Sequence, residues 1–447
     1  MFDVRMTSEW MTWISALAAP LQARSRVRLA PLFLGMTFAS GRRTASAWWR
    51  AIGVGTDFSS YYYFLAALGR KHQAIAAVLL NLVVTRIDGC DKLLFAFDDS
   101  PTKRFGPHVQ GAGIHHNPTP GPAGSRFVYG HSWVVLARVA RHACFGSIAL
   151  PLLASLYVRK CDIDKIPSKC GVQFRTKLQM AVEQIKWLRQ HLRNISKPVW
   201  LVADGFFAKA EVLRAAIEAG FVLVSRLPSN AALNDLPRKC KPGQSRGRGR
   251  PRIYGKNAIS LSKRAGQTRG WTTITVRKPS GETATKRIKT FLATWRPAGG
   301  VIRVVLVKEE DGSWRALLCT DTAADVTAIV EAALERWSIE QSFHDLKEVE
   351  RISEVQLRRY DANVGATNAS LWYHTLVEMW SWTRPAATLA DRSDRPWDDP
   401  ERRPSHADRR KALKIHLLEN EFRKIDVPER YLAKLRPTLC ELVRLAA

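Results

Sequence analysis

Two short, fully apolar runs that each end on an aspartate limit the folds open to this chain more than any other feature. Residues 93–97 read LLFAF and lead directly to Asp98, and residues 199–203 read VWLVA and lead directly to Asp204. Such runs are typical of strands that are buried on both faces of a sheet. Neighbouring parallel strands end at the same edge, where open α/β sheets place their sites. The pattern therefore predicts that Asp98 and Asp204 lie side by side, although either aspartate alone also suits a turn or a helix cap.

The order of the elements around these runs predicts an α/β fold with a mixed sheet. Strands are expected at 126–140 and at 147–158, the second of them broken by Pro151, after a Gly/Pro-rich loop at 106–124. Helix, strand, helix and strand then alternate over 176–227. Two strands beside the first, followed by this alternation, indicate helices on both faces of a mixed sheet. Ribonuclease H-like folds have this order.

The charge of the chain points to a polyanionic partner. The chain contains 69 Lys and Arg but only 40 Asp and Glu, which gives a formal net charge of +29. Such an excess of positive charge favours nucleic acid as the partner. The longest apolar stretch, 74–85, is shorter than the roughly 20 residues that span a bilayer, and the first residues lack the order of a signal peptide. The seven cysteines form no CxxC pair. We therefore expect a cytoplasmic, nucleoid-associated protein with reduced thiols.

A third carboxylate lies on a predicted long amphipathic helix at 326–350. Arg336, Glu340 and Lys347 are spaced i, i+4 and i+11, which places them within roughly 40° of one another on one helix face. A carboxylate between two cations suits a metal ligand with phosphate-binding neighbours. A solvated salt-bridge stripe has the same spacing.

Three segments resemble the motifs of one family. RWSIEQSFHDLK (336–347) is similar to the Arg-Trp-x-Ile-Glu-x-x-Phe-x-x-Leu-Lys signature of bacterial insertion-sequence transposases, which are DDE enzymes with a β-rich insertion before the glutamate. FAFDDS (95–100) and LVADGFF (201–207) resemble its two aspartate elements. The tyrosine that usually precedes the arginine by three residues is Ala333 here. The resemblance covers roughly 90–380.

The resemblance implies a catalytic triad and its chemistry. Asp98, rather than its neighbour Asp99, would act with Asp204 and Glu340 as catalytic residues and metal ligands. Two Mg²⁺ (or Mn²⁺) ions would promote DNA strand cleavage at element ends and strand transfer into target DNA. Pairing of two ends implies a homodimer on double-stranded DNA.

The resemblance also implies roles for residues around the triad and a division of the chain. Arg336 and Lys347 would hold the DNA backbone, and Trp337 or Trp295 would receive a flipped base or pack in the core. The expected regions are a helical DNA-binding domain (1–90), the first part of a ribonuclease H-like catalytic domain (91–227), a β-rich insertion with a basic loop (228–325), the completion of the catalytic domain (326–383), and a linker with a C-terminal helical region (384–447).

Two further segments are candidates for DNA contact. Residues 42–63 suggest either a helix-turn-helix with Arg42 and Arg43 beside it or a plain helical bundle. The basic segment 238–256 contains Arg248, Arg250 and Arg252, and its Arg-Gly-Arg-Pro core resembles an AT-hook that enters the minor groove.

Other functions stay open at this point. The chain suits a domesticated, non-cutting DNA-binding protein or a ribonuclease H-like structure-specific nuclease. A nicking enzyme with a histidine metal site and Tyr129 as nucleophile is disfavoured, because the adjacent His115 and His116 would point to opposite faces of a regular strand. We expect these histidines in a loop.

Overall fold

The computed structural model describes residues 9–87, 91–117, 124–237, 250–392, 395 and 397–422, with side chains described up to Asn420. The helices are α1 (Glu9–Ala18), α2 (Ala23–Arg26), α3 (Leu29–Phe38), α4 (Ala45–Ala51), α5 (Phe58–Arg86), α6 (Lys177–His191), α7 (Ala210–Glu218), α8 (Leu261–Gly266), α9 (Val326–Glu335), α10 (Trp337–Glu348), α11 (Tyr360–Ser381) and α12 (His406–Phe422). The strands are β1 (Leu93–Lys103), β2 (Gly113–His116), β3 (Phe127–His142), β4 (Gly146–Tyr157), β5 (Val199–Ala203), β6 (Val222–Leu227), β7 (Leu233–Asn234), β8 (Ala258–Ile259), β9 (Thr272–Arg277), β10 (Thr283–Trp295), β11 (Gly300–Lys308) and β12 (Trp314–Cys319).

One mixed sheet runs through the molecule. Its first part has the order β4-β3-β1-β5-β6, in which β4, β3 and β1 are antiparallel while β1, β5 and β6 are parallel. This arrangement confirms the predicted ribonuclease H-like mixed sheet. The β-rich segment after 228 continues the same sheet, because β12 pairs antiparallel with β6 and with β11, and β11 pairs antiparallel with β10.

Helices cover both faces of the sheet, as predicted. Side chains alternate along each strand, so Phe95 and Phe97 pack into the cluster that contains residues of α6 and α7. Leu94 and Ala96 pack on the opposite face, against residues of α9 and α10. Thr176 begins α6 with a capping box that it forms with Gln179.

The prediction that Pro151 breaks the third strand is wrong. The strand β4 continues past Pro151 because its pairing with β3 shifts by one residue there, with Leu136 opposite Leu153 and Ala137 opposite Pro151. Such a bulge accommodates a proline without ending the strand. The carbonyl of Pro151 is not left unpaired, since it accepts a hydrogen bond from Thr375 Oγ1 of α11 at 2.6 Å.

The N-terminal helices share their core with the sheet domain. In the crossing of α5 and α11, a Cβ on Gly69 would lie 1.9 Å from the carbonyl oxygen of Asp361, so only glycine permits this approach. Trp48 and Trp49 are fully buried in the same cluster, whereas Tyr62 and Tyr63 are exposed. This packing favours the helical-bundle alternative over a free-standing helix-turn-helix.

Two element predictions need correction. The predicted long helix 326–350 is divided at Arg336, which keeps α-helical dihedral angles (φ −52°, ψ −33°) between α9 and α10. The predicted loop 106–124 contains the strand β2, which pairs with β3. Across the residues that the structure covers, no helix is both long and apolar enough to cross a membrane.

Candidate active site

The register of the parallel strands brings the two aspartates together. Phe97 of β1 is the partner of Ala203 of β5, so Asp98 and Asp204 directly follow a matched pair. The negative charge of Asp204 contributes to the raised pKa of Asp98, as expected for carboxylates at neighbouring positions of paired strands. The prediction that the first strand ends at Asp98 is wrong, because β1 continues beside β3 to Lys103. The two aspartates nevertheless lie next to each other, at the point where the parallel pairing of β1 and β5 stops.

Asp98 is a mostly buried carboxylate with both oxygens engaged. Its Oδ1 accepts a hydrogen bond from the backbone N–H of Asp99 at 2.8 Å, and its Oδ2 accepts one from Arg336 Nη1 at 2.8 Å. The pKa of Asp98 is raised to about 7, because burial, together with the carboxylates of Asp99 and Asp204, outweighs the lowering effects of the Arg336 guanidinium and of the hydrogen bond from the Asp99 N–H. Negative charge at this position is therefore costly until more positive charge arrives.

Asp99 points away from this site. Its carboxylate pairs with Lys177 Nζ of α6 at 2.6 Å, on the sheet face opposite α10. Alternation along a strand separates the two neighbours in this way. The geometry supports the choice of Asp98 over Asp99 as the member that faces Glu340.

Asp204 has a structural contact as well as its place at the sheet edge. Its Oδ2 lies 3.5 Å from the backbone N of Phe206, a long capping contact to the turn that follows β5. Ser225 Oγ of the neighbouring strand β6 donates a hydrogen bond to the Asp204 carbonyl at 3.1 Å. The capping alternative and the site alternative are thus compatible, because the cap uses one carboxylate oxygen.

Glu340 joins the aspartates through Arg336. One turn of helix separates the two residues, and Arg336 Nη2 donates to Glu340 Oε1 at 2.6 Å while Nη1 reaches Asp98. Helix α10 lies against β1 and β4 and is anchored by Ile339 and Phe343. The predicted grouping of Arg336 and Glu340 is thereby observed, with the guanidinium between two carboxylates.

The donor set suits hard divalent cations. Carboxylate oxygens are the ligands that Mg²⁺ and Mn²⁺ favour, and Asp98, Asp204 and Glu340 supply them in one region of the structure. Within the described part of the chain, however, the one trio of potential ligands whose atoms all lie within 4.8 Å of one another is His374, Glu378 and His406. The three carboxylates are therefore spread more widely than a single ion would hold them.

The other residues predicted from the helix motif lie near the carboxylates. Trp337 is 57% exposed, and it lines, together with Arg336, a cleft of about 700 Å³ between α10, the β9–β10 hairpin and the segment before α12. Lys347 lies beside Ser100 and Thr102, on the face of β1 that carries Asp98. Burial lowers the pKa of Lys347.

The residues farther from the carboxylates that were predicted to contact DNA differ in their exposure to solvent. Arg42 is exposed, but Arg43 is buried and its guanidinium pairs with Glu350 at 3.3 Å, so its placement does not support the predicted DNA contact. Arg250 and Arg252 are exposed, and Arg248 lies outside the described residues. Trp295 is a core residue.

The histidines at 115 and 116 form no shared site. They lie on β2 with His115 buried and His116 exposed, which is the alternation expected of a strand. Burial lowers the pKa of His115 to about 4. The hydroxyl of Tyr129 donates to the Gly106 carbonyl at 3.1 Å, which is a structural role.

Sequence reasoning missed a buried ionic network behind α10. His406 of α12 places Nδ1 2.5 Å from Glu378 and Nε2 3.2 Å from Glu350. Ionised carboxylates only accept hydrogen bonds, so both ring nitrogens must donate and the ring must be protonated. The network contains Arg43, Glu350, His374, Glu378, His406, Arg409 and Arg410.

This network explains the compact histidine–glutamate trio without a metal. Burial opposes the charge on His406, but the hydrogen bonds to Glu350 and Glu378 outweigh it and raise the pKa of His406 to about 9. Arg409 also pairs with Glu378 at 2.9 Å, so the ligand atoms already share a proton and a guanidinium. The i, i+4 spacing of His374 and Glu378 on one helix was the sequence signal for it.

Comparison with known proteins identifies the family of the chain. The family model described as DDE superfamily endonuclease matches residues 16–296, which is well over half of the chain and includes Asp98 and Asp204, while Glu340 lies beyond it. No curated protein matches. A piggyBac transposase synaptic complex with hairpin DNA, solved by cryo-EM, aligns over 98% of this chain and 78% of that chain, with 9% identity and a TM-score of 0.37. On the strength of the family match, the chain belongs to the DDE superfamily endonucleases.

Proposed function

We propose that the protein is a DDE transposase of the bacterial insertion-sequence type, with Asp98, Asp204 and Glu340 as its catalytic residues. The observation that carries this proposal is their convergence: Asp98 and Asp204 directly follow a matched pair of residues on the parallel strands β1 and β5, and Arg336 links Glu340 to Asp98. Family membership supports endonuclease chemistry. The substrate is double-stranded DNA, first at the ends of the element and then in the target.

The carboxylates would hold two divalent ions, Mg²⁺ or Mn²⁺. When bound, such ions polarise the scissile phosphodiester and lower the pKa of an attacking water. The chain itself supplies a rigid frame for them, because Asp98 and Asp204 are fixed by the sheet register and Glu340 by a helix packed on the same sheet. Precise ligand placement by regular elements is what such chemistry requires.

Two DNA strands take part in the proposed reaction. In the first step, water adds to phosphorus at the element end while the bond from phosphorus to the 3′ oxygen breaks, which leaves a free 3′-hydroxyl. In the second step, that hydroxyl attacks a phosphorus of the target strand and displaces the target's own 3′ oxygen. Each step exchanges one phosphorus–oxygen bond for another, so neither ATP nor a covalent protein intermediate is needed.

Side chains near the carboxylates would position the DNA. Arg336 and the exposed Trp337 line the cleft between α10, the β9–β10 hairpin and the segment before α12, and Lys347 lies farther along α10 beside Ser100 and Thr102. Arg42 and the basic segment with Arg248, Arg250 and Arg252 would add contacts to the backbone or the minor groove. A homodimer that pairs two ends, the five-region division of the chain and a location at the nucleoid belong to the same proposal.

A labelled-end assay separates this proposal from its alternatives. Duplexes that carry the DNA flanking the gene, incubated with Mg²⁺ and a target plasmid, should yield cut strands and then joined products, and EDTA should stop both. Cutting without joining would identify a structure-specific nuclease. Binding without cutting would identify a domesticated DNA-binding protein.

A further inference from the structure

Arg336 is the cation at the centre of the carboxylate site. Its two terminal nitrogens reach Asp98 Oδ2 at 2.8 Å and Glu340 Oε1 at 2.6 Å, so one guanidinium bridges two of the three proposed metal ligands. Charge-assisted bonds of this kind are among the strongest hydrogen bonds in proteins. Without Arg336, the mostly buried Asp98 would have Asp99 and Asp204 as charged neighbours of its own sign.

Arg336 and a bridging metal ion compete for the same place, because the guanidinium lies between Asp98 Oδ2 and Glu340 Oε1, where an ion that bound both oxygens would lie, and its positive charge repels a cation there. The remaining oxygen of Asp98, Oδ1, already accepts the backbone N–H of Asp99 at 2.8 Å. An ion that used Asp98 Oδ2 and Glu340 Oε1 would therefore have to displace the guanidinium. The wide spacing of the three carboxylates fits a site held open around an arginine side chain.

The fold gives the displaced side chain a place to go. Arg336 lies at the junction of α9 and α10 and is partly exposed, and it lines the cleft that also contains Trp337, Gln341 and Lys286. Its long side chain has to turn about its own bonds only, while the helix stays in place. In the cleft the guanidinium would face bound DNA rather than the carboxylates.

We propose that Arg336 is a resident counter-cation, which holds the carboxylate site in the ion-free protein and is released by divalent ions to bind a DNA phosphate. This rests on the proposed function, because it takes Asp98 and Glu340 as metal ligands. Ion binding and DNA binding are then thermodynamically linked through one side chain, and each strengthens the other by the same factor. The affinity of the protein for DNA phosphates therefore increases when divalent ions occupy the carboxylate site.

Calcium binding tests the displacement directly. Ca²⁺ is titrated calorimetrically into the full chain without DNA, for the wild type, Arg336→Met and Arg336→Lys. Because the methionine variant no longer competes for the carboxylates, it should bind Ca²⁺ about ten-fold more tightly or better, which is the scale of one charge-assisted bond. The Ca²⁺ affinity of Arg336→Lys should lie between those of the wild type and Arg336→Met, because an ammonium group keeps the charge but cannot bridge the two carboxylates as a guanidinium does. Arg175→Met, which removes a surface ion pair with Glu183, should match the wild type.

A second readout tests the link to DNA. Ca²⁺ should raise the affinity of the wild type for a labelled duplex more than it raises that of Arg336→Met, as measured by fluorescence anisotropy. Equal or weaker Ca²⁺ binding by Arg336→Met, in a protein whose Ca²⁺ binding is abolished by Asp98→Asn, would overturn the displacement and leave the proposed site intact. Ca²⁺ binding that survives Asp98→Asn and Glu340→Gln unchanged would overturn both.

Discussion

Asp98 and Asp99 are adjacent in the sequence and opposite in environment. Asp98 faces α10 and Arg336, whereas Asp99 faces α6 and Lys177. The strand alternation that separates them is a property of the backbone, so the sequence alone supplied two candidates and the family resemblance chose one. Because their surroundings differ, we expect substitutions of the two residues to change the free energy of unfolding in opposite directions.

In metal-free buffer, Asp98→Asn should stabilise the protein at pH 8. The pKa of Asp98 is raised from 3.8 to about 7, so the folded state holds this proton more tightly than the unfolded chain does. The contribution of Asp98 to stability therefore falls as the pH rises from about 4 through about 7. Removing the charge should add on the order of 1–3 kcal/mol to the free energy of unfolding at pH 8 and little at pH 4, as measured by urea denaturation in EDTA.

Asp99→Asn is the matched control for that measurement. This substitution removes the ion pair between Asp99 and Lys177, both of which are partly exposed. The free energy of unfolding at pH 8 should therefore fall by about 1 kcal/mol or less. A loss of stability in Asp98→Asn that is equal at pH 4 and pH 8 would contradict the environment that the structure gives Asp98.

At the scale of elements, ion pairs connect the segment that follows α10 to the N-terminal region and to α12. Glu350, two residues beyond α10, lies between Arg43 of the N-terminal region and His406 and Arg410 of α12. Burial opposes the charge on Glu350, but Arg410, His406 and Arg43 together lower its pKa to about 2. The network therefore supports the helix that carries Glu340.

His406→Gln should destabilise the protein in a pH-dependent way. The pKa of His406 is raised from 6.5 to about 9, so its stabilising effect is fully present below pH 6.5 and is lost as the pH rises through about 9. Breaking a buried pair of this kind costs about 3–5 kcal/mol. The difference in the free energy of unfolding between wild type and variant should therefore be large at pH 6 and smaller at pH 10, as measured by chemical denaturation.

The exposed His344 of α10 provides the control. Its nearest acidic group is Asp345 at 3.7 Å, and His344→Gln should leave stability within about 0.5 kcal/mol of the wild type at both pH values. A His406→Gln deficit that does not change between pH 6 and pH 10 would mean that the ring acts by packing and not by its charge.

Elements with a strong local signal were predictable from the sequence, and the exceptions have physical causes. Strand β5, helix α6 and the first half of β1 follow from their apolar spacing and caps, whereas the polar second half of β1, up to Lys103, depends on its pairing with β3. The continuation of β4 past Pro151 was not predictable, because it depends on a register shift and on Thr375 of α11. Apart from the i, i+4 spacing of His374 and Glu378, the ionic network was also not predictable, since its ion pairs join residues that lie 28 to about 300 positions apart.

At the scale of the whole molecule, the sheet connects the carboxylates to the β-rich segment. Strand β6 pairs with β5 on one side and β12 on the other, so the strand that supports Asp204 is continuous with the insertion strands. The sequence predicted these strands but not their partner, because a single sequence contains no pairing information. The basic segment 238–256 belongs to this region.

Replacing Arg248, Arg250 and Arg252 with alanine should weaken DNA binding and flatten its salt dependence. Each DNA phosphate that an arginine no longer neutralises reduces the slope of log affinity against log salt by about 0.9, so three such phosphates reduce it by roughly 2 to 3. Affinity is measured by anisotropy at several salt concentrations, on A·T-rich and G·C-rich duplexes. The A·T-rich duplex should lose more affinity if the segment enters the minor groove.

A matched triple variant controls for net charge. Arg189, Arg193 and Arg214 are exposed on and next to α6 and α7, on the sheet face opposite α10, and their replacement with alanine should change the slope much less. An unchanged slope with a lower melting temperature in the Arg248, Arg250 and Arg252 variant would assign the segment a structural role instead of DNA contact.

The strand-cleavage assay with single carboxylate variants tests the central claim most directly. Asp98→Asn, Asp204→Asn and Glu340→Gln each remove one charge with little change of shape, while Asp99→Asn changes the neighbour that faces α6. With Mg²⁺ and a labelled element end, the first three should each cut roughly a thousand-fold more slowly or worse, with DNA affinity retained, and Asp99→Asn should cut near the wild-type rate. Cleavage by Glu340→Gln at the wild-type rate would contradict the account.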